Sequence, residues 1–304
     1  MPKLIHKFKQ LTDRMSYEDA KNNIPPDYIK YHLGQMKLLF SELFFLSKYQ
    51  HEKDIIVLYV GAADGYHTHY MARMFPHYKF HLYDKRDFHK VYTDNPQSNI
   101  ELYHMYFTDD DAKYYLSQKY KILFMCDMRD LDIRTEKMKT DSEGIDNLVV
   151  NDMKMQMAWA KVMKPLATYL KFRLPYDIEK MEYFDGSVYL QPYSPLSTES
   201  RLLITNYDKL KTYDCKEFDE KMAYFNVMLR SKPQNTKWNE IMKKNNIYIN
   251  WDNTYALYIL EDYLKKKSNV ENIAEEEVIE LFLDIVKYHS ESNKKKYSII
   301  FDKL

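Results

Sequence analysis

The chain has 304 residues, with 45 Lys+Arg against 45 Asp+Glu and only 5 glycines, where ordinary usage of glycine would give about 21. With 45% apolar and 30% charged residues, this excludes a disordered, collagen-like or hairpin-dense chain and suits one large domain or a domain with an appended lobe. Zero net charge means that any polyanion contact must be a local patch rather than a global field.

Two cysteines, Cys126 and Cys215, are too few for a disulfide framework, and with no signal-like start they suggest a reducing compartment. No run approaches 18 consecutive apolar residues, so no membrane span is expected.

Residues 1–27, with Pro25-Pro26 near their end, read as a loosely structured lead-in. An amphipathic helix is predicted over 28–49, with Met36, Leu39, Phe40, Leu43 and Leu46 on one face. Residues 55–60 form a continuous apolar run of the kind buried on both faces of a parallel sheet. A short helix follows Gly65, then strands at 79–84 and 100–106, a helix at 109–118 and an apolar strand at 122–126. Residues 145–164 have helical spacing, with Leu148, Met155, Trp159 and Val162 on one face. Strands are predicted at 168–173, 188–190 and 202–205.

This alternation implies an α/β fold with a doubly wound, mostly parallel sheet and helices on both faces. Beyond residue 215 helical patterns dominate, at 218–229, around Ala256 to Tyr263 and around Val278 to Ile285. Lys265–Lys267 and the lysines at 294–296 read as solvated helix ends rather than nucleic-acid tracts.

Two glycines frame Val60-Gly61-Ala62-Ala63-Asp64-Gly65, between the first buried strand and a helix. Ligands bind at the carboxyl ends of strands in such sheets, and glycine lets backbone approach a ligand without a Cβ in the way. The spacing fits neither the dinucleotide fingerprint nor the phosphate-binding P-loop. It suits the looser loop that holds S-adenosylmethionine in Rossmann-like methyltransferases, although the glycine pair alone fits a structural turn as well. Asp84, at the end of the next strand, could accept hydrogen bonds from both ribose hydroxyls. His67 and His69 are not expected to form a metal pair, because i and i+2 diverge on a helix.

Four ionisable residues stand at suggestive places. Lys37 is in the first predicted helix, Asp127 follows the 122–126 strand, Lys171 lies inside a predicted buried strand and Glu199 precedes a late one. Each has a bland reading as surface charge except Lys171, since a lysine in a buried strand needs a role or a partner.

In this order the residues resemble a known family. The matching blocks are Gly34–Leu39 continuing through Glu42–Lys48, Tyr59–Gly65, Asp84-Lys85-Arg86, Lys121–Leu123 with Asp127–Arg129, Leu170–Arg173 with Pro175, and Glu199–Leu203. The chain resembles the poxvirus cap-specific mRNA 2′-O-methyltransferases, which double as the small regulatory subunit of the viral poly(A) polymerase. The likeness spans roughly residues 28–230, with Asp64 where the family usually has proline.

The resemblance implies a Rossmann-like core over 28–215, a helical part over 216–304, and a segment 1–27 that contributes to the cap pocket. It also implies a catalytic tetrad of Lys37, Asp127, Lys171 and Glu199. A ribose 2′-hydroxyl is a very weak acid, so its attack needs a positioned base or acceptor. A lysine serves only if its pKa falls from about 10.4 towards neutrality. Lys171 would be that base, with Lys37 as its cationic neighbour, Asp127 orienting it and Glu199 closing the network.

S-adenosylmethionine would be held by Tyr59, Gly61, Ala63, Gly65, Asp84, Arg86, Thr108 and Asp127, and no metal is required. The 7-methylguanine cap would stack between Tyr17 and Tyr176, with Asp177 and Asp219 or Glu220 accepting its edge protons. Tyr176 alone fits a core aromatic as well. Implied partners are capped mRNA and the catalytic subunit of a viral poly(A) polymerase, with no membrane. The implied place is the host cytoplasm, in a viral factory, with packaging into the virion also compatible.

Overall fold

A computed structural model describes residues 4–23, 33–118, 120–128, 142–230, 232, 235–291 and 297–301, with only the backbone of 142 and 143. In chain order the elements begin with a 3-10 turn at Phe8–Gln10, α1 (Tyr17–Asn22), α2 (Gly34–Ser47), β1 (Ile55–Val60), α3 (Tyr66–Met74) and β2 (Lys79–Tyr83). Then come α4 (Val91–Asp94), β3 (Ile100–Tyr103), α5 (Asp109–Leu116), β4 (Lys121–Cys126), α6 (Ser142–Met163) and β5 (Ala167–Phe172). The third quarter holds β6 (Lys180–Phe184), β7 (Ser187–Tyr189), β8 (Ser200–Ile204) and β9 (Leu210–Asp214). Helices close the chain: α7 (Cys215–Tyr224), a π turn at Phe225–Leu229, α8 (Asn239–Lys244), α9 (Trp251–Ser268) and α10 (Glu275–Ser290).

The described residues fall into two compact units: a sheet unit of 52–189 with 198–219, and a helical unit from 1–51, 190–197 and 220–304. The sheet unit carries a seven-stranded sheet in the order β3-β2-β1-β4-β5-β8-β7. Its first five strands are parallel; β8 runs antiparallel to β5, and β7 antiparallel to β8. The apolar run of β1 is buried at every position because the strand is central and covered on both faces.

Right-handed crossovers place the helices. The chain winds from β1 to β2 to β3 in one direction and from β3 back to β4 and β5 in the other, so α3 and α4 cover one face and α5 and α6 the opposite one. The mostly parallel α/β sheet expected from the alternation is what the chain forms.

Several details differ from the sequence expectations; the segment 1–27, read as a loosely structured lead-in, carries the 3-10 turn at Phe8–Gln10 and α1, capped by Ser16. On α6, Met155 is 39% and Val162 37% exposed, so they do not share the buried face with Trp159. That face is instead Val149, Met153, Trp159, Ala160 and Met163, interleaved with buried Asp146, Asp152 and Gln156. Polar side chains turned inward disguise the face from an apolar count. The strand predicted over 100–106 ends at Tyr103, and Met105 and Tyr106 beyond it are exposed. A two-stranded antiparallel ribbon of β6 and β9 has no counterpart in the predicted elements.

In the helical unit, Phe40 of α2 packs against Tyr193 and Phe282, with ring centroids 5.6 and 6.2 Å apart. The helix predicted over 28–49 spans Gly34–Ser47, and its expected start lies outside the described residues. Lys265 and Lys266 close α9 in i,i+4 pairs with Glu261 and Asp262; the lysines at 294–296 lie outside the described residues.

Candidate active site

Strand register assembles the centre of the site. Val60 at the end of β1 lies beside Cys126 at the end of β4, and Cys126 beside Leu170 of β5. One residue further on, Asp127 therefore meets Lys171, which lies directly across from Arg201 on antiparallel β8. The strand order reverses between β1 and β4, so this row stands at the topological switch point, at the carboxyl ends of the parallel strands.

Lys171 Nζ donates to Asp127 Oδ1 at 3.1 Å and pairs with Glu199 Oε2 at 3.4 Å. The same Asp127 oxygen accepts from an Arg201 guanidinium nitrogen at 2.7 Å. Asp127 is tethered by its own main chain as well, its N–H donating to Val60 O. Lys171, Glu199 and Arg201 are all buried. Two cations and two carboxylates thus balance in a space where a lone charge would be costly, and removing one member would strand its partners at a cost of about 3–5 kcal/mol.

The glycine loop lies beside this row. Gly61 and Gly65 both have positive φ, at 81° and 72°. A Cβ on Gly61 would sit 2.7 Å from the main-chain nitrogen of Met128, and one on Gly65 would sit 2.7 Å from the Tyr92 hydroxyl. Left-handed backbone and the chain's own close packing are each enough to require glycine at both positions. The peptide between Ala63 and Asp64 is cis.

Asp84 follows β2, and its carboxylate accepts from the N–H groups of Ala63 and Arg86 and from Arg86 Nε and a terminal guanidinium nitrogen, at 2.8–3.0 Å. Burial alone would raise this carboxyl, but the Arg86 side chain and the two backbone N–H groups outweigh it and hold it below the ordinary carboxylate range. Those four donors match the lone-pair capacity of a carboxylate. A sugar diol could bind there by replacing the Arg86 head, whose side chain is largely solvent-exposed. An acidic side chain with an exchangeable partner, next to a loop at the switch point, fits a ribose-bearing ligand.

The remaining expected residues are placed as follows. Tyr59 is buried inside β1 with its ring edge-on to His67. Thr108 caps α5 through a reciprocal box with Asp111. Tyr176 and Asp177 are exposed on the loop after β5, with the Arg173 guanidinium over the Tyr176 ring at 4.6 Å. Asp219 lies on α7.

In the helical unit, Tyr17 is exposed at the start of α1, and Met15 N–H donates to Glu220 O, which brings that segment to α7. Lys37 belongs to the same unit, buried in the second turn of α2. Geometry within the sheet unit thus joins Asp127, Lys171 and Glu199. It adds Arg201, to which sequence reasoning assigned no role; the available signal was an arginine in the apolar strand Ser200–Ile204, the same anomaly that singled out Lys171. Among the described residues no group of three or more His, Cys, Asp or Glu side chains could hold a metal ion, and no helix is long and apolar enough to cross a membrane.

Residues 1–288 match the family described as the poly(A) polymerase regulatory subunit. The chain belongs to that family. Among its curated relatives is the cap-specific mRNA (nucleoside-2′-O-)-methyltransferase of Myxoma virus (strain Lausanne), 28% identical over 250 residues, 76% of this chain and 71% of the relative. The protein of the same name from Fowlpox virus (strain NVSL) is 29% identical over 224 residues, 66% of this chain and 68% of the relative.

A solved structure of bluetongue virus VP4, described as a multifunctional RNA-capping production line, aligns with a TM-score of 0.43 at 13% identity. It covers 73% of this chain, which spans 34% of that longer one.

Proposed function

We propose that this regulatory-subunit family member is a cap-specific mRNA 2′-O-methyltransferase, acting on the ribose of the first transcribed nucleotide of 7-methylguanosine-capped RNA. The relatives named for that activity support the reading, and the observation that carries it is the meeting of Lys171, Asp127 and Glu199 at the switch point of the sheet.

S-adenosylmethionine would supply a methyl group already activated on a positively charged sulfur. Asp84, the Gly61–Gly65 loop and Asp127 are the residues that would hold it. In the transfer the ribose oxygen gains the methyl group and loses its proton. Lys171 Nζ is the group that receives that proton. A neutral amine has two N–H bonds and one lone pair. Asp127 and Glu199 would take N–H directions of that amine and so fix how it meets the hydroxyl.

Arg201 shares Asp127 Oδ1, so that oxygen is not Lys171's alone. Lys37 is the fourth member of the tetrad that the resemblance implies, as a further cation. Tyr17 and Tyr176 are the candidates for stacking the cap, with Asp177, Asp219 and Glu220 as acceptors for its edge.

The family's description favours a second role, as the regulatory subunit of a poly(A) polymerase with that enzyme's catalytic subunit as partner; RNA binding in that role, and a viral factory in the host cytoplasm as the place of action, are part of the same proposal. Incubation with labelled S-adenosylmethionine and 7-methylated capped RNA tests the reading, beside unmethylated-cap and uncapped controls. Product carrying a 2′-O-methyl group only on the 7-methylated cap is expected. RNA binding without product would leave the regulatory role alone.

A further inference from the structure

The loop from Leu174 to Glu179, which carries the exposed Tyr176 and Asp177, is held from beneath by a residue that no sequence motif singled out. Asp146 on α6 is 4% exposed, and its Oδ2 accepts the main-chain N–H of Asp177 at 2.6 Å. Its Oδ1 is also buried and has no hydrogen-bond partner among the described residues. A turn needs only a neutral acceptor to cap an N–H. A buried carboxylate with one oxygen unfilled is a costly way to do it, and a charged acceptor gives a shorter, stiffer bond.

The same carboxylate reaches a second element. Burial first, then the negative charges of Asp214 and Asp146, push the Cys215 thiol up to about 11. Cys215 opens α7, and its N–H donates to Glu179 O at the far end of the loop. Asp219 follows Cys215 by four residues, on the same side of that helix. Asp146 therefore lies where the root of the Tyr176–Asp177 segment and the first turn of α7 converge. The Tyr176 side chain itself lies under the Arg173 guanidinium, 4.6 Å from its ring centroid, and makes a long contact of 3.4 Å from its hydroxyl to Thr198 Oγ1.

We propose that Asp146 is a positioning residue for recognition of the 7-methylguanine cap: it sets the main chain beneath Tyr176 and Asp177 so that ring and carboxylate are presented in one orientation. This rests on the cap-methyltransferase reading. Asp146 touches neither the transferred methyl nor the attacking hydroxyl, and its loss acts on how capped RNA is held rather than on the chemical step.

Steady-state methylation by the full chain tests it, with 7-methylated and unmethylated capped RNA and with thermal unfolding recorded for each variant. Loss of one charge-assisted bond to the loop should raise the KM for 7-methylated capped RNA about tenfold in Asp146→Ala and cut selectivity for the 7-methyl group by a similar factor. The kcat at saturating RNA and the KM for S-adenosylmethionine should stay within about twofold. Asp146→Asn keeps an acceptor oxygen and should restore most of the loss, leaving a rise of about threefold. Should the alanine variant fail to fold, the asparagine variant carries the test alone through that rise.

A fall in kcat with both KM values unchanged would mean only fewer folded molecules, and would overturn the proposal. So would an unchanged KM and selectivity in a folded Asp146→Ala, or in Asp146→Asn where only that variant folds. Wild-type protein that makes no product on any capped RNA would sink the underlying reading instead, a result readable before any variant is made.

Discussion

Lys171 is the residue on which the chemistry turns. A lysine with both carboxylate neighbours within 3.4 Å is oriented before substrate arrives, and general acid–base groups of this kind contribute about 10²–10⁴-fold to rate. Lys171→Ala should therefore lose at least about a hundredfold in kcat, with capped-RNA affinity nearly unchanged. Single-turnover assays beside filter binding would check this, and a variant that methylates at full rate would remove Lys171 from the mechanism.

Asp84 makes a prediction in pH. Its carboxyl lies lower in the folded protein than in the unfolded chain, so the stabilisation is fully present above the unfolded value, near 4, and fades as pH falls through the lower folded value. Asp84→Asn should accordingly be less stable than the parent at pH 7, and the gap should close progressively in acid. Urea melts across pH 7 to 2.5 would show it; a gap that stays constant with pH would mean that the carboxylate is not what matters there.

At the scale of elements, the loop between β1 and α3 is the most constrained piece of backbone near the site. Gly61 combines a left-handed φ of 81° with a neighbouring backbone where its Cβ would go. Neither can relax cheaply, because Met128 follows Asp127 directly and Asp127 is held by Lys171, Arg201 and Val60. Gly61→Ala should cost about 1–3 kcal/mol in stability and displace the β4 end from β1. Chemical denaturation measures the first effect, and a drop in kcat beyond the loss of folded fraction would report the second.

Gly65→Ala meets the Tyr92 hydroxyl first and the Ala62 carbonyl oxygen at 3.0 Å, against three backbone atoms within 2.9 Å at Gly61. Its penalty should be the smaller of the two.

On the scale of the whole molecule, each unit has its own buried core. In the helical unit Arg230 is wholly buried, with Nε 3.0 Å from both Asp252 oxygens and a terminal nitrogen on Ser194 O. Asp252 also accepts the Tyr193 N–H at 2.7 Å. This network pins the 190–197 segment to α9. Breaking it from one side leaves a buried charge, so Arg230→Met should destabilise by about 3–5 kcal/mol. Arg230→Met combined with Asp252→Asn should recover part of that loss. Equilibrium unfolding of both variants decides it, and equal losses would mean that packing rather than charge dominates.

Much of this was legible before any coordinates. The continuous apolar strands, the alternation and the helical C-terminal third follow from local periodicity, and the composition excludes the rival classes. Lys171 stood out because a lysine within an apolar run is anomalous wherever it lies. The sequence by itself also pointed to the family, through short blocks such as Gly34–Leu39 and Tyr59–Gly65.

Tertiary structure alone decided the rest. Strand register puts Asp127, Lys171 and Arg201 in one row, although 44 and 74 residues separate Asp127 from its two partners. No spacing rule links residues on different strands until their pairing is known. The inward face of α6, with Asp146 under the loop after β5, stayed hidden for the same reason. A buried carboxylate reads in sequence as surface until the N–H that it accepts comes into view.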